Sequence, residues 1–428
     1  MSKDAKGMKA ERGLLPRLRF PEFRGEWVSS PVSKVYSFKG NNSLSRDKLN
    51  YEGGLFRNIH YGDIHTKFAP RFCVDSESVP YVNDEESHSA IRPENYCSAG
   101  DMVFADASED TADIGKAIEI INTGDVPLVS GLHTILARPN VYTFALGFGA
   151  YLFSSEGVRK KIQREAQGAK MLGLSASRLG NVLLRYPAET DEQQKIADCL
   201  SSLDELITAE TQKLDALKTH KKGLMQQLFP AEGETLPKLR FPEFREAGEW
   251  KEKKLGEFSH VVASGDLNTT CFSPIKTDEY NYPVYSNAIE EQGLYGYYTA
   301  PRFSKDSVTI TARGNLGVAF FRSHEFMGIG RLLVASNFQD ANPRFITECW
   351  NHLGKVPTEV TSIPQFTAVA AKATVLPIPS ITEQQKIADC LSSLDELITA
   401  QTQKLVILKT HKKALMQQLF PSPEAETP

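Results

Sequence analysis

EQQKIADCLSSLDELITAETQKLDALKTHKKGLMQQLFP runs from Glu192 to Pro230, and EQQKIADCLSSLDELITAQTQKLVILKTHKKALMQQLFP runs from Glu383 to Pro421. The two copies differ at four aligned positions: Glu210/Gln401, Asp215/Val406, Ala216/Ile407 and Gly223/Ala414. The sequence between them is far less alike. The chain therefore reads as a frame of two matching elements that carries two different modules.

The repeated stretch has the pattern of a helix with one apolar stripe. Ile196, Leu200, Leu203, Ile207, Leu214, Leu217, Leu224 and Leu228 follow an alternating four-three spacing, a heptad seam sustained over about five heptads. Ile387, Leu391, Leu394, Ile398, Leu405, Leu408, Leu415 and Leu419 repeat it. Both seams are interrupted at matching places, by Glu210 and Lys221 and by Gln401 and Lys412. These polar positions either fix the register of a coiled coil or open the seam to partner helices; register is the reading preferred here. Asp191 and Thr382 are the expected N-caps, each followed three residues later by a glutamine (Gln194, Gln385) as in a capping box. Pro230 and Pro421 end the helices. A helix with such a stripe needs a partner. Three partners can cover the stripe, its own domain, a second chain or the other copy; intrachain antiparallel pairing is expected, with one module at each end.

At 428 residues the chain is too long for one ordinary domain. A hydrophobic content of 41% provides for sizeable cores, and a net charge of -4 does not mark a polyanion-binding protein by bulk charge. The six cysteines occur singly, with no CxxC pair, so neither a disulfide framework nor a zinc site is expected. Cys199 and Cys390, beside the seam, are expected core thiols. No metal site is expected. The N-terminal stretch MSKDAKGMKAERG has no apolar targeting core, and no apolar run is long enough to span a membrane. A cytoplasmic protein is the expectation.

LPRLRFPEFRGEW, Leu15 to Trp27, recurs as LPKLRFPEFREAGEW, Leu236 to Trp250. The repeat unit is thus larger than the helix. These short segments are expected against the helix bases, anchored by Phe20, Phe23, Phe241 and Phe244. The first variable module shows β-like runs at Val103-Phe104, Ala117 to Ile121 and Thr134 to Ala137, a turn at Tyr61-Gly62-Asp63, and a helical stretch over Thr143 to Gln167. The second shows strands at Ser307 to Thr311, Gly317 to Arg322 and Leu332 to Ala335, with Arg313-Gly314-Asn315 as a tight turn. Both are expected α+β domains with loop-borne function.

The order RFPEF…W, variable module, proline-rich exit (Arg185-Tyr186-Pro187; Leu376-Pro377-Ile378-Pro379), EQQKIADCLSSLDELI and a closing KKxLMQQLFP, given twice, resembles the specificity subunit of a type I restriction–modification system. IHYGDIH and FADASEDTADIGKA add to the likeness. The resemblance implies an α+β fold in which two mixed target recognition domains are separated by two long helices forming an antiparallel coiled coil with an internal pseudo-twofold repeat. The expected layout is a polar tail (1–13), a first recognition domain (14–189), a first helix (190–230), a second recognition domain (231–381), a second helix (382–421) and a tail (422–428). It implies that each domain reads one half of an asymmetric bipartite site in double-stranded DNA and that the coil sets the spacing. It also implies docking of two methyltransferase subunits, with restriction subunits joining the complex. No catalysis and no cofactor of its own are expected; S-adenosylmethionine and ATP would be bound by partner subunits.

An enzyme reading finds little support in the residues. Phe326-Met327-Gly328-Ile329-Gly330 fits the FxGxG of adenine methyltransferases, but three fixed letters are a weak signal and no NPPY or DPPY accompanies them. It is read as a strand and turn. No phosphate-loop motif is present. His60, His65 and His133 lack metal-ligand spacing. Base reading needs polar or cationic side chains on exposed loops. The residues expected to contact DNA are Arg57, His60, His65, Lys67 and Lys170 in the first module and Asn287, Arg302, Arg313, Asn315 and Arg331 in the second. Arg159-Lys160-Lys161 with Arg164 is a candidate phosphate patch or a solvated helix face. Tyr295, Tyr297 and Tyr298 either contact the nucleic acid or belong to a half-buried strand.

Overall fold

The computed structural model describes residues 15–84, 92–140, 144–354 and 365–421. The two tails expected at 1–13 and 422–428, and Thr143 at the start of the expected helix, lie outside them. The fold is α+β, with two 39-residue helices, Thr190–Leu228 and Ile381–Leu419. At 1.5 Å per residue each is about 58 Å long. The chain divides into two compact units, residues 1–209 with 405–428 and residues 210–404, so each unit holds half of each long helix.

Within each unit the two helix segments run antiparallel. In the first, Ile196, Ala197 and Leu200 share a core with Leu415, Met416, Leu419 and Phe420, and Asp204 meets Lys412. In the second, Lys221 meets Asp395 at 2.7 Å while Glu210 meets Gln401 and Lys404. Positions that rise along one helix fall along the other. Every seam residue is buried or half-buried, whereas Leu206, Leu397, Val406 and Ile407, which lie off the seam, are exposed. Cys199 and Cys390 are only partly buried. Their neighbouring seam leucines take the core positions, and the fully enclosed thiols are Cys97 and Cys349 in the modules.

The helix starts differ from expectation. Asp191 and Thr382 lie inside the first turn, because the backbone N–H of Gln193 and of Gln384 already donates to Glu189 and Ser380. Ser380 Oγ accepts from Glu383 N, two residues before the expected cap. No capping box forms: Gln194 and Gln385 each donate instead to an aspartate one turn on, Asp198 and Asp389, at 2.7 Å.

The modules differ in sequence but share strand order. The main sheet of the first unit runs Tyr36–Lys39, Thr134–Pro139, Met102–Ala105, Ala117–Asn122, with Arg71–Cys73 added at the edge. That of the second runs His260–Ala263, Leu333–Ser336, Ser307–Ile310, Ala319–Arg322. A second sheet runs Leu128–Ser130, Arg57–Ile59, Tyr81–Val82, Leu49–Asn50 in one unit and Met327–Gly328, Tyr282–Tyr285, Leu294–Tyr298, Phe272–Ser273 in the other. The first pair of each such sheet is parallel and the rest antiparallel. A two-stranded ribbon leads into each long helix: Trp27–Pro31 with Leu183–Pro187, and Lys251–Lys254 with Val375–Ile378. The central strands Met102–Ala105 and Ser307–Ile310 are buried at every residue, which their unbroken apolar or small side chains permit.

The helix expected over Thr143 to Gln167 is two helices, Phe148–Ser154 and Glu156–Glu165, because Ser155 is extended (φ -65°, ψ 144°) and its hydroxyl donates back to Leu152 O. Tyr61-Gly62-Asp63 is the first turn of a helix, Tyr61–Thr66, rather than a free turn.

Each module is fastened to the coil by the same set of contacts. Glu192 and Glu383 are both buried. Arg19 donates to both oxygens of Glu192 at 2.6 Å, and Arg240 to both of Glu383 at 2.7 Å. The indole N–H of Trp27 and of Trp250 donates to the same carboxylates. Gln193 spans Pro187 O and Ala145 N, and Gln384 spans Pro379 O and Asn342 N. Lys195 lies over the Phe20 ring and Lys386 over Phe241. The helix ends insert aromatic rings: Phe420 beside Phe148, and Phe229 between Trp250 and Phe345. Burying each such ring contributes about 1.5–3 kcal/mol.

Removing a partner from a buried ion pair leaves an uncompensated charge. Arg240→Ala, which strips the guanidinium from buried Glu383, should destabilise the second unit by about 3 kcal/mol, read as a lower urea midpoint by tryptophan fluorescence. Arg240→Lys should recover little, since an ammonium cannot form the bidentate pair. An unchanged midpoint would contradict this role for the buried carboxylate.

Candidate nucleic-acid interface

In the first unit an aromatic and cationic cluster forms around the helix Tyr61–Thr66. The Tyr61 ring lies 4.7 Å from that of His60, 5.9 Å from His65 and 5.3 Å from His133. Arg46 grips buried Asp63 through both oxygens, at 2.7 and 2.8 Å, and Lys67 reaches the same carboxylate and the Tyr51 hydroxyl. Burial alone would raise the Asp63 pKa, but the bonds from Arg46 and Lys67 outweigh it and hold the carboxyl below its ordinary range. Burial, aided by the nearby Arg46 cation, lowers that of His60.

The expected DNA-contacting residues of this module have different surroundings. His60 is buried and its Nδ1 accepts from Gly62 N, so it caps the helix. His65 Nε2 bonds with Ala107 O at 3.0 Å. Arg57 donates to Val74 O and the Tyr81 hydroxyl and lies over the Tyr81 ring. Lys67 is exposed though paired, and Lys170 is exposed. In the candidate patch, Arg159 donates to Ala112 O and Ile114 O, Lys160 pairs with Glu156 and Lys161 donates to Leu183 O, while Arg164 is exposed.

In the second unit Arg302, Arg313, Asn315 and Arg331 are exposed, and the guanidinium of Arg302 lies over the Phe303 ring. Arg313-Gly314-Asn315 lies between the strands Ser307–Ile310 and Ala319–Arg322, with Gly314 at φ +69° supplying the left-handed turn residue. Asn287 is half-buried; its amide donates to Gly330 O at 2.8 Å and accepts from Ala312 N at 2.7 Å. Tyr295 is exposed and Tyr298 buried, on one strand. Met327–Gly328 of the FxGxG stretch is a short strand paired with Val284 and Tyr285.

The seam polar residues are engaged within the chain. Tyr151 and Lys412 both bond to Asp204. Lys221 bonds to Asp395 and, at 3.1 Å, to Glu348. Burial alone would lower the pKa of Lys221, but Glu348 and Asp395 outweigh it and hold the ammonium up. Among the described residues no three His, Cys, Asp or Glu side chains form a metal-binding group, and no helix is long and apolar enough to cross a membrane. Two residues of the first cluster, Arg46 and Tyr51, were missed in the sequence, where no motif sets them apart, and His133 was singled out only as a histidine without metal-ligand spacing.

The profile of the type I restriction modification DNA specificity domain matches residues 247–409. A putative type I specificity subunit of Mycoplasma pneumoniae is 27% identical over 154 residues, 35% of this chain and 46% of that protein. The chain thus spans about half the length of that relative. A putative specificity subunit of a type I restriction enzyme from Methanocaldococcus jannaschii is 23% identical over 367 residues, covering 81% of this chain and 83% of that protein. The crystal structure of the S subunit of a type I restriction–modification system from M. genitalium superposes with a TM-score of 0.64 at 15% identity, covering 95% of this chain and 99% of that one. At that identity the superposition shows a shared fold.

The Asn287 amide holds two backbone groups of the second module. Asn287→Ala should lower stability by about 1–3 kcal/mol through the unsatisfied groups left behind, measured as a fall in the thermal midpoint. An unchanged midpoint would show that this side chain is not needed for the fold.

Proposed function

We infer that this chain, which belongs to the specificity subunits of type I restriction–modification systems, is the DNA-reading subunit of its complex and is not itself catalytic. The observation that carries this reading is the combination of a duplicated frame with two modules of one topology and unlike surfaces. A symmetric reader would demand a palindrome. Two unlike modules suit a bipartite site in double-stranded DNA with unlike halves, one half to each module, with the helices setting the gap between them. Phosphate affinity at a net charge of -4 must come from local clusters such as Arg46, Lys67 and their neighbours rather than from bulk charge.

The duplicated helices offer two copies of one surface, which suits two copies of one partner. Methyltransferase subunits are that partner in this reading, and restriction subunits join the assembled complex. The exposed, repeat-equivalent side chains Leu206 and Leu397 are the kind of surface a docking subunit covers. S-adenosylmethionine and ATP belong to the partners, and the complex works in the cytoplasm, where its DNA is.

A module swap tests this directly. Replacing residues 251–380 with the matching module of another specificity subunit should change one half of the methylated sequence and leave the other intact. An unchanged methylated sequence after the swap would sink the reading.

A further inference from the structure

We propose that the loops 131–133 and 329–332 are the base-reading tips of the two modules, with His133 and Arg331 as specificity-determining side chains. The proposal rests on the DNA-reading function inferred above. Each loop makes the same passage in the fold. It leaves the strand that pairs in parallel at one end of the second sheet, Leu128–Ser130 or Met327–Gly328, and enters a strand of the main sheet, Thr134–Pro139 or Leu333–Ser336. The two modules arrive at this loop through unrelated sequences, GLH and IGRL.

Both tips hold a left-handed backbone on a side-chain-bearing residue. His133 has φ +56° and Arg331 φ +65°. Among the described residues, the other non-glycine positions with positive φ are Asp306, Asn337 and Asp340, Glu291 and Gln292. Asp, Asn and His adopt this region more readily than other side-chain-bearing residues, so the strain is greater at Arg331 than at His133. Glu291 and Gln292 share one turn of the second unit. His133 and Arg331 alone fall on topologically matching loops. A glycine would adopt the same backbone without cost, and each loop already contains one, Gly131 or Gly330, at another position. Backbone strain retained at a side-chain-bearing residue is a mark of a functional position.

An asparagine amide clamps each loop from outside. Asn41 Nδ2 donates to Gly131 O at 3.3 Å and to Thr134 O at 2.8 Å, bracketing His133. Asn287 Nδ2 donates to Gly330 O, directly before Arg331. The tips are therefore held while their side chains are exposed. Arg331 makes no side-chain hydrogen bond or ion pair among the described residues. His133 stands edge-on to Tyr61, with Nδ1 3.3 Å from Asp106 Oδ1, which orients the ring and engages one of its two nitrogens. A guanidinium fork on a held loop matches O6 and N7 of guanine in the major groove. An imidazole offers one donor or acceptor to a base edge.

Arg331→Gly and His133→Gly test this without adding strain. Each full-length variant is assembled with its methyltransferase subunits, its methylome is sequenced, and its affinity is measured on a duplex carrying the wild-type motif. The thermal midpoint of Arg331→Gly should be unchanged or slightly higher, and that of His133→Gly should fall only slightly, through the lost contacts with Tyr61 and Asp106. Arg331→Gly should weaken binding by about 5- to 150-fold, the factor for one lost bidentate base contact, and relax a guanine position in one half-site. His133→Gly should relax the other half-site. Four results overturn the proposal: an unaltered motif at unaltered affinity, a large loss of stability, relaxation of both half-sites by one variant, or weakened binding with no change in motif, which would assign the loops to phosphate contact. If the wild-type complex shows no sequence-specific methylation, it is the DNA-reading function itself that fails.

Discussion

The seam between the long helices is the constraint from which the rest follows. Each helix presents one apolar stripe, and each compact unit holds half of each stripe. Leucine and isoleucine alone would allow the pair to slide by a heptad. The polar interruptions oppose that. Lys221 meets Asp395 in one unit, and its repeat equivalent Lys412 meets Asp204 in the other. Glu210 meets Gln401, the residue that replaces it in the second copy. A slipped register would leave half-buried charges without partners, which costs more than the pairs contribute in the aligned state. Tyr151 and Glu348, each from a module, join these pairs and tie module position to coil register.

Stability and variation are separated in this chain. The fastenings at Glu192 and Glu383 are repeated almost atom for atom, down to the indole N–H and the glutamine at the next position. The strand order of the modules is repeated as well. What differs is the loops and the side chains on them. A fixed scaffold with variable loops is how a single fold is turned to different sequences. The first module gathers histidines and tyrosines around Tyr61, while the second presents arginines on separate turns.

The long helices were legible because a period sustained over about five heptads admits few alternatives. Their starting points were not. Asp191 and Thr382 have good capping side chains, but the backbone enters the helix two residues earlier, at Glu189 and Ser380. The longer buried strands were visible as apolar runs. The shared topology was hidden because several of its strands are only two or three residues long, too short to carry a period. Residue type alone does not tell what a polar side chain bonds to in the fold. Arg57, His60 and Asn287 look like base readers in sequence, yet bond to groups in their own module. Arg313, Asn315, Arg331 and Lys170 stay exposed on loops. His133 stands out only once the loops of the two modules are compared.

Long-read methylation sequencing of a host carrying this chain with its methyltransferase subunits, against the same host without this chain, tests the central claim most directly. The duplicated frame with unlike modules predicts one new asymmetric motif in two parts, separated by a fixed gap and bearing N6-methyladenine. A palindromic motif, or no new motif from an assembled complex whose methyltransferase is active, would contradict it.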